Sequence, residues 1–194
     1  MYTLAKIVLG FYIYVFNKIK IIGKENISKE GALIVYGNHQ SIMDIFCLNL
    51  AFGSRKIIFM AKKSLFKIPI IKNVVKAYGA FPVDRSRADI SAIKNALRVL
   101  KDGKTLGIFP EGTRIGDESE SDAKGGISMI AEKTKATLQP VRIIYKRKCM
   151  IFNSMTVIIG KSFSYGDVSV PEDAEDKHKA AGKVLMDKVY ELKI

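Results

Sequence analysis

The chain has 194 residues, 48% of them hydrophobic, which allows one domain with a sizeable core and excludes a chain that is disordered throughout. Lysine and arginine number 32 against 19 acidic residues, and the net charge of +13 indicates an anionic partner: nucleic acid, an anionic membrane surface or a phosphorylated substrate. The two cysteines exclude a disulfide framework and form no metal-binding motif, so a reducing compartment is expected.

The first predicted element is an apolar run, IVLGFYIYVF at residues 7–16, bounded by lysines. A helix of this length cannot cross a hydrocarbon core of ~30 Å, and no signal-peptide cleavage pattern follows it. A core helix and a helix in the membrane interface both remain open, and the run's apolar character on all sides favours the interface. The predicted division is a membrane-interface segment at 1–22 and a second domain at 23–194.

The rest of the chain alternates short strand-like runs with helix-like segments. Apolar runs rich in β-formers predict strands at 32–36, 56–61, 77–83, 105–109, 138–146 and 155–163. Apolar residues at three- and four-residue spacing predict a helix at 87–101, with Ser86 as its N-cap, and another at 181–192. Strands that are apolar throughout predict an α/β fold, in which a mixed, largely parallel sheet is flanked by helices. Ligands of such sheets gather beyond the carboxyl ends of the strands.

The first candidate site is the stretch GNHQSIMD, which follows the run at 32–36. Ser41 and Asp44 resemble a capping box, which places His39 on a loop and Asp44 in the first turn of a helix, where the two side chains can meet. The structural interpretation is a helix cap beside a polar loop residue. The functional interpretation is a dyad whose carboxylate fixes one imidazole nitrogen and leaves the other to take a proton. No nucleophile motif accompanies it, so the activated hydroxyl or water must come with the substrate.

Between Asp44 and Asp84 the chain has no acidic residue, and its lysines are interleaved with bulky apolar residues. This mixture is typical of a membrane interface, where amines stay with phosphates and apolar side chains enter the acyl boundary. A solvated basic rim around ordinary core segments is the alternative. We expect no nucleic acid partner, because neither a recognition helix nor aromatic residues alternating with arginine are present.

Two later motifs, GAFPVDR at 79–85 and FPEGTR at 109–114, each place an arginine at the end of an apolar run. Gly112 allows the backbone to approach a ligand, and Arg85 and Arg114 offer planar guanidinium groups that match phosphate oxygens. Glu111 cannot bind phosphate, but it can orient Arg114 or accept a hydrogen bond from a substrate hydroxyl. The alternative is two surface arginines paired with Asp84 and Glu111.

Together and in this order, the motifs resemble the glycerolipid acyltransferase family, typified by bacterial 1-acylglycerol-3-phosphate acyltransferases. The family's Asn-His-x-x-x-x-Asp block is NHQSIMD here, its Phe-Pro-Glu-Gly-Thr-Arg block is complete, and its Pro-centred block resembles LQPVRI around Pro140. The Gly-x-x-aromatic-x-x-Arg block departs from the pattern, since Phe81 sits one place early and Pro82 holds the aromatic position, although Arg85 keeps its place. The resemblance spans about residues 20 to 165.

The resemblance implies that His39 is the general base for the free hydroxyl of a lysophospholipid and that Asp44 orients it. The acyl donor would be acyl-CoA or an acyl carrier protein, with no metal or other cofactor, at an anionic membrane surface on the cytoplasmic face. The alternatives are another acceptor, such as glycerol 3-phosphate or another lysolipid, and a non-catalytic basic membrane-binding module. The residues expected to hold the acceptor are Arg85, Glu111, Gly112, Thr113 and Arg114.

Overall fold

The structure is a computed structural model that describes residues 17–53, 55–84, 89–114, 122–146 and 153–194. The apolar run at 7–16 and the predicted binding residue Arg85 lie outside the described residues, so both stay predictions. Residues 17–22, which the sequence assigned to the membrane-interface segment, form a strand of the sheet. The last residues of the predicted membrane-interface segment therefore belong to the sheet.

The described residues contain seven strands and five α-helices. The strands are β1 (Asn17–Ile22), β2 (Leu33–Gly37), β3 (Ile57–Lys62), β4 (Phe81–Val83), β5 (Thr105–Ile108), β6 (Thr137–Tyr145) and β7 (Asn153–Ile159). The helices are α1 (Met43–Ala51), α2 (Pro69–Ala77), α3 (Ile90–Lys101), α4 (Gly126–Thr134) and α5 (Lys177–Tyr190). Short 3-10 turns occupy Lys24–Asn26, Lys63–Lys67 and Tyr165–Asp167.

The strands form one sheet in the order β1-β7-β6-β2-β5-β3-β4. Only the β6–β7 pair is antiparallel, so the predicted mixed, largely parallel sheet is confirmed. β2 lies in the middle, where Tyr36 is in register with Ile108 of β5 and Pro140 of β6. The carboxyl ends of these three strands therefore meet at one edge of the sheet.

Both faces of the sheet are covered, which explains why the central strands are apolar throughout. Leu33 and Val35 of β2 pack in one core cluster with residues of α1. Ile34 and Tyr36, on the opposite face, pack with residues of α3, α4 and α5. The alternation of side chains along a strand thus buries every residue of β2.

Several predicted boundaries are wrong in detail. The run at 77–83 forms a strand only at Phe81–Val83, because α2 ends at Ala77 and the chain turns through Gly79, whose φ is 75°. The N-cap of α3 is Asp89 instead of Ser86, and its carboxylate accepts from the N–H groups of Ser91 and Ala92 at 3.0 and 3.1 Å. The Ser91 hydroxyl and these N–H groups hold the pKa of Asp89 below its usual range.

Candidate active site

The loop after β2 is fixed to β6 by Asn38, whose buried amide pairs with both backbone groups of Ile143. Its Nδ2 donates to the Ile143 carbonyl at 2.9 Å, and its Oδ1 accepts from the Ile143 N–H at 2.8 Å. The side chain thus acts as one more peptide unit of the β2–β6 ladder. At Gly37, just before it, a Cβ would lie 2.2 Å from the Val141 carbonyl oxygen, so the close approach of the two strands requires glycine.

His39 and Asp44 meet as predicted. The imidazole Nδ1 lies 2.8 Å from the Asp44 Oδ2, and the two side chains are 6% and 0% exposed. The same oxygen accepts from the N–H groups of Gln40 at 2.7 Å and Ser41 at 2.9 Å. Because the carboxylate accepts from Nδ1, the proton of the neutral imidazole resides there and Nε2 is the basic nitrogen.

The cap at this helix differs slightly from the predicted one. α1 begins at Met43 with Ile42 as its N-cap residue, one position later than the predicted cap Ser41. The Ser41 hydroxyl still accepts from the Met43 N–H at 3.2 Å, and Asp44 reaches back to the Ser41 N–H. The carboxylate therefore satisfies backbone donors before the helix and contacts His39 at the same time, and its role in a catalytic dyad stays a prediction.

The plane of the imidazole is held by an aromatic stack. The His39 and Phe109 rings lie 4.1 Å apart at an interplanar angle of 12°, and Phe109 is stacked on Phe59 with centroids 5.6 Å apart. Phe109 is the first residue of the FPEGTR motif, and its role was not predicted. The motif did contain a sequence signal for this role, because an aromatic residue directly follows a buried strand there.

Glu111 is buried and engaged with the protein. One carboxylate oxygen, Oε2, accepts from the backbone N–H of His39 at 3.2 Å, and the other, Oε1, accepts from the Tyr190 hydroxyl at 2.6 Å. Arg142 Nη1 in turn donates to the carbonyls of Tyr190 and Leu192 at the end of α5. Glu111 thus ties the His39 loop to the carboxyl end of α5, while its predicted contact with a substrate stays a prediction.

The rest of the FPEGTR motif faces outward. Gly112 adopts a φ of 69°, a left-handed conformation that favours glycine, and Thr113 and Arg114 are exposed. Within the described ranges Arg114 forms no ion pair, and the alternative pairing of Arg85 lies outside the described residues. The structure brings His39 into contact with both Asp44 and Glu111, while the predicted binding of an anion by Arg114 stays a prediction.

Tyr145, the last residue of β6, also reaches the dyad. Its hydroxyl donates to Oδ1 of Asp44, the carboxylate oxygen that does not face His39. Burial and the charge of Asp44 raise the pKa of Tyr145 far above its usual range, so the phenol remains a neutral donor. Sequence patterns gave no signal for this contact, because the two residues are 101 positions apart.

A cavity of about 590 Å³ is lined in part by Phe109, the residue whose ring stacks on the imidazole. Its wall is mainly apolar and comes from β3, β5, α3 and α4, with Lys124 and Asp176 among its polar residues. This volume is in the range of small-molecule binding sites. The apolar lining residues include Met60, Ile93, Ile108, Phe109, Ile127 and Ile130.

Fold and site together define an α/β domain that holds a histidine–aspartate pair at the carboxyl edge of its sheet, beside an apolar cavity. Over residues 18–144 the chain matches the acyltransferase family, and it belongs to that family. Among the described residues, no group of histidine, cysteine, aspartate and glutamate could hold a metal ion.

Similar proteins include two named 1-acyl-sn-glycerol-3-phosphate acyltransferase. The one from Bacillus subtilis is 35% identical over 122 residues, which cover 63% of this chain and 60% of that protein. The one from Borreliella burgdorferi is 37% identical over 144 residues, which cover 71% and 57%. The chain therefore spans less than two thirds of the length of these relatives.

A solved structure supports the same family. The crystal structure of the 1-acyl-sn-glycerophosphate (LPA) acyltransferase from Thermotoga maritima matches with a TM-score of 0.68 and 27% sequence identity. The match covers 98% of this chain and 78% of that one. The predicted fold class and the resemblance to glycerolipid acyltransferases are therefore confirmed.

Proposed function

We propose that the protein transfers an acyl group from an acyl thioester, on CoA or an acyl carrier protein, to the free hydroxyl of 1-acylglycerol-3-phosphate and so makes phosphatidic acid. The observation that carries the proposal is the buried contact between His39 Nδ1 and Asp44, which leaves Nε2 as a base. The names of the similar proteins support this acceptor over other lysolipids.

In the proposed reaction, His39 Nε2 takes the proton of the acceptor hydroxyl as its oxygen attacks the thioester carbonyl. The new ester C–O bond forms, the C–S bond breaks, and the imidazolium returns the proton to the leaving thiolate. Asp44 holds the tautomer and stabilises the transient imidazolium. Cys47 does not compete as a nucleophile, because burial raises the pKa of its thiol to about 12.

The cavity beside Phe109 suits the acyl chain of the donor. Its lining is mainly apolar, and Phe109 contacts both the cavity and the His39 ring. A chain lying in this cavity would leave water and transfer apolar surface into the protein, which is favourable by about 0.8 kcal/mol for each buried CH₂. The thioester at the end of the acyl chain would then lie near the edge of the sheet at which His39 is located.

The direct test offers lysophosphatidic acid in detergent or vesicles with palmitoyl-CoA or with a carrier-linked palmitoyl chain. Phosphatidic acid from the wild-type protein, and far less from His39→Ala, is the expected result. Parallel reactions with glycerol 3-phosphate and another lysolipid compare acceptors. No product from lysophosphatidic acid with either donor, from folded protein, would overturn the proposed acceptor.

We expect Arg114→Ala to raise KM for lysophosphatidic acid by about tenfold or more, because the variant loses a charged hydrogen bond to the phosphate. The kcat should change little. The exposed guanidinium is free of ion pairs within the described residues and can bind the acceptor phosphate equally in the ground and transition states. Steady-state kinetics with varied acceptor measures both constants. Arg98→Ala, on the exposed side of α3, is the matched control, and an unchanged KM for Arg114→Ala would contradict the assignment.

The proposed partner surface is an anionic membrane on the cytoplasmic side, bound peripherally. Between Lys62 and Ala77 the described side chains are all exposed or half-buried, and Ile68 is 46% exposed among lysines. This surface combines apolar groups with cations, which suits anionic lipid headgroups. Across the described part of the chain, no helix is long and apolar enough to span a bilayer.

Replacing Lys63, Lys67, Lys72 and Lys76 by glutamine is expected to weaken binding to phosphatidylglycerol vesicles by roughly fivefold for each lysine, since each contributes about 1 kcal/mol near an anionic surface. All four side chains are exposed. Vesicle flotation measures the bound fraction. A control variant changes the same charge elsewhere, at the exposed lysines Lys94, Lys101, Lys133 and Lys183. Equal losses in the two variants would show that net charge, and not this surface, drives binding.

A further inference from the structure

Asp44 is fully buried, so its charge depends on hydrogen bonds from the protein. One oxygen, Oδ2, accepts from His39 Nδ1 and from the N–H groups of Gln40 and Ser41. The other oxygen, Oδ1, accepts from the Tyr145 hydroxyl, and no other donor among the described residues reaches it. Tyr145 therefore fixes the carboxylate from the side opposite to His39.

The phenol comes from a rigid part of the fold that is separate from the His39 loop and from α1. Tyr145 ends β6 and is in antiparallel register with Met155 of β7. Two residues earlier, Ile143 is held by both polar atoms of the Asn38 side chain. The end of β6 and the beginning of the His39 loop are thus joined, so the distance between phenol and carboxylate is set by the sheet.

We propose that Tyr145 is a positioning residue for the proposed acyl transfer, which acts through Asp44 to keep His39 protonated on Nδ1 and basic at Nε2. The inference rests on the proposed function for its kinetic consequences. Without the phenol, the carboxylate can rotate about its Cβ–Cγ bond, and the alignment of Oδ2 with Nδ1 is lost for part of the time. A base that samples both tautomers presents Nε2 with a lone pair less often.

The phenol also limits the charge that the carboxylate presents to the imidazole, because the O–H donor draws electron density to Oδ1. Among the described residues, the titratable groups that face the dyad are Cys47 from α1, Glu111 from the loop after β5, and Tyr145 itself. The Cys47 thiol stays neutral, and Glu111 is bound to the His39 N–H and the Tyr190 hydroxyl. Tyr145→Phe therefore removes the hydrogen bond to Asp44 and the phenol's interaction with the Ser41 hydroxyl, and it changes no charge.

The kinetic test is the variant Tyr145→Phe. We expect its kcat to fall about tenfold, because this factor corresponds to the loss of a charged hydrogen bond at the weak end of the usual range. The KM should change little. In an Asp44→Asn background the same substitution should have little further effect, since Tyr145 acts through Asp44. Equal losses in the two backgrounds would overturn the inference.

Tyr36→Phe is the matched control. Tyr36 is fully buried on the opposite face of the sheet, and its hydroxyl has no hydrogen-bond partner among the described residues. Removing this hydroxyl is expected to leave kcat and the pH–rate profile unchanged and to raise the midpoint of thermal unfolding. A loss of activity in both variants would assign the effect of Tyr145→Phe to altered packing and overturn the inference.

A second measurement, by NMR, does not depend on acyl-transfer activity. The chain has two histidines, so selective ¹⁵N-histidine labelling gives spectra of only His39 and His178. We expect a single Nδ1–H tautomer for His39 in the wild type and averaged nitrogen shifts in Tyr145→Phe. Identical His39 spectra and titration curves in the two proteins would overturn the inference. If the spectra differ while the wild type forms no phosphatidic acid, the proposed function fails and the positioning role stands.

Discussion

His39→Ala is expected to lower kcat for acyl transfer by roughly 10²–10⁴-fold, the usual contribution of a positioned general base. The residue is held at three points: its imidazole Nδ1 by Asp44, its ring face by Phe109 and its backbone N–H by Glu111. A base fixed in this way loses little entropy on the way to the transition state, so its removal acts on kcat. KM for the acceptor should change little, because the proposed phosphate contacts lie on other residues. Steady-state kinetics with lysophosphatidic acid gives both constants.

Added imidazole provides the control for this variant. The alanine leaves space next to Phe109 and the Asp44 carboxylate, and a free imidazole in that space can accept the proton from the substrate. Partial recovery of kcat with rising imidazole concentration, and none in the wild type, is the expected pattern. A variant with the kcat of the wild type would remove His39 from the reaction.

The sequence predicted the central sheet well because its strands are short, apolar on both faces and separated by turns or helices. β1 was missed for a physical reason. Lys18 and Lys20 alternate with isoleucines in this edge strand, which pairs only with β7 in the described sheet. The same lysines bound the apolar run at 7–16, so residues up to 22 were assigned to the membrane-interface segment. The alternation of lysine and isoleucine alone cannot distinguish an edge strand from a membrane anchor. The pairing with β7, which would decide between them, joins residues far apart in the chain.

The helices α2 and α4 were also missed, and neither has a side-chain cap at its start. In α2 the proline at the first position, Pro69, does favour a helix start, but its lysines made the segment resemble a membrane-binding surface. α4 starts at two glycines, Gly125 and Gly126, which have low intrinsic helix propensity. Packing of Ile127, Ile130 and Ala131 in the core stabilises α4. Tertiary contacts of this kind cannot be deduced from local patterns.

The part of the site that depends on local geometry could be predicted. His39 and Asp44 are five positions apart at a helix start, and the capping pattern was enough to bring them together. Tyr145 and Tyr190 could not be predicted, because they reach Asp44 and Glu111 across 101 and 79 residues. Glu111 shows the limit of a motif, since the FPEGTR pattern gave no sign that its buried carboxylate contacts the His39 N–H and the Tyr190 hydroxyl.

Asp44→Asn is expected to lower kcat by roughly 10²–10⁴-fold, a loss comparable to that found when the carboxylate of a catalytic triad becomes an amide. The amide oxygen can still accept from Gln40 and Ser41, but it carries no charge to stabilise the imidazolium. If the amide rotates, its NH₂ group faces Nδ1 and favours the wrong tautomer. Both effects act on the base and not on the binding of the acceptor, so kcat should fall while KM stays close to that of the wild type.

Asp44→Ala separates this role from helix capping. Alanine leaves the N–H groups of Gln40 and Ser41 without their acceptor, and each buried unsatisfied donor costs about 1–3 kcal/mol. Thermal unfolding should therefore show a larger loss of stability for alanine than for asparagine, while both variants have a similarly low kcat. A wild-type kcat for Asp44→Asn would leave Asp44 with the structural role alone, because a cap requires an acceptor oxygen and a dyad requires its charge.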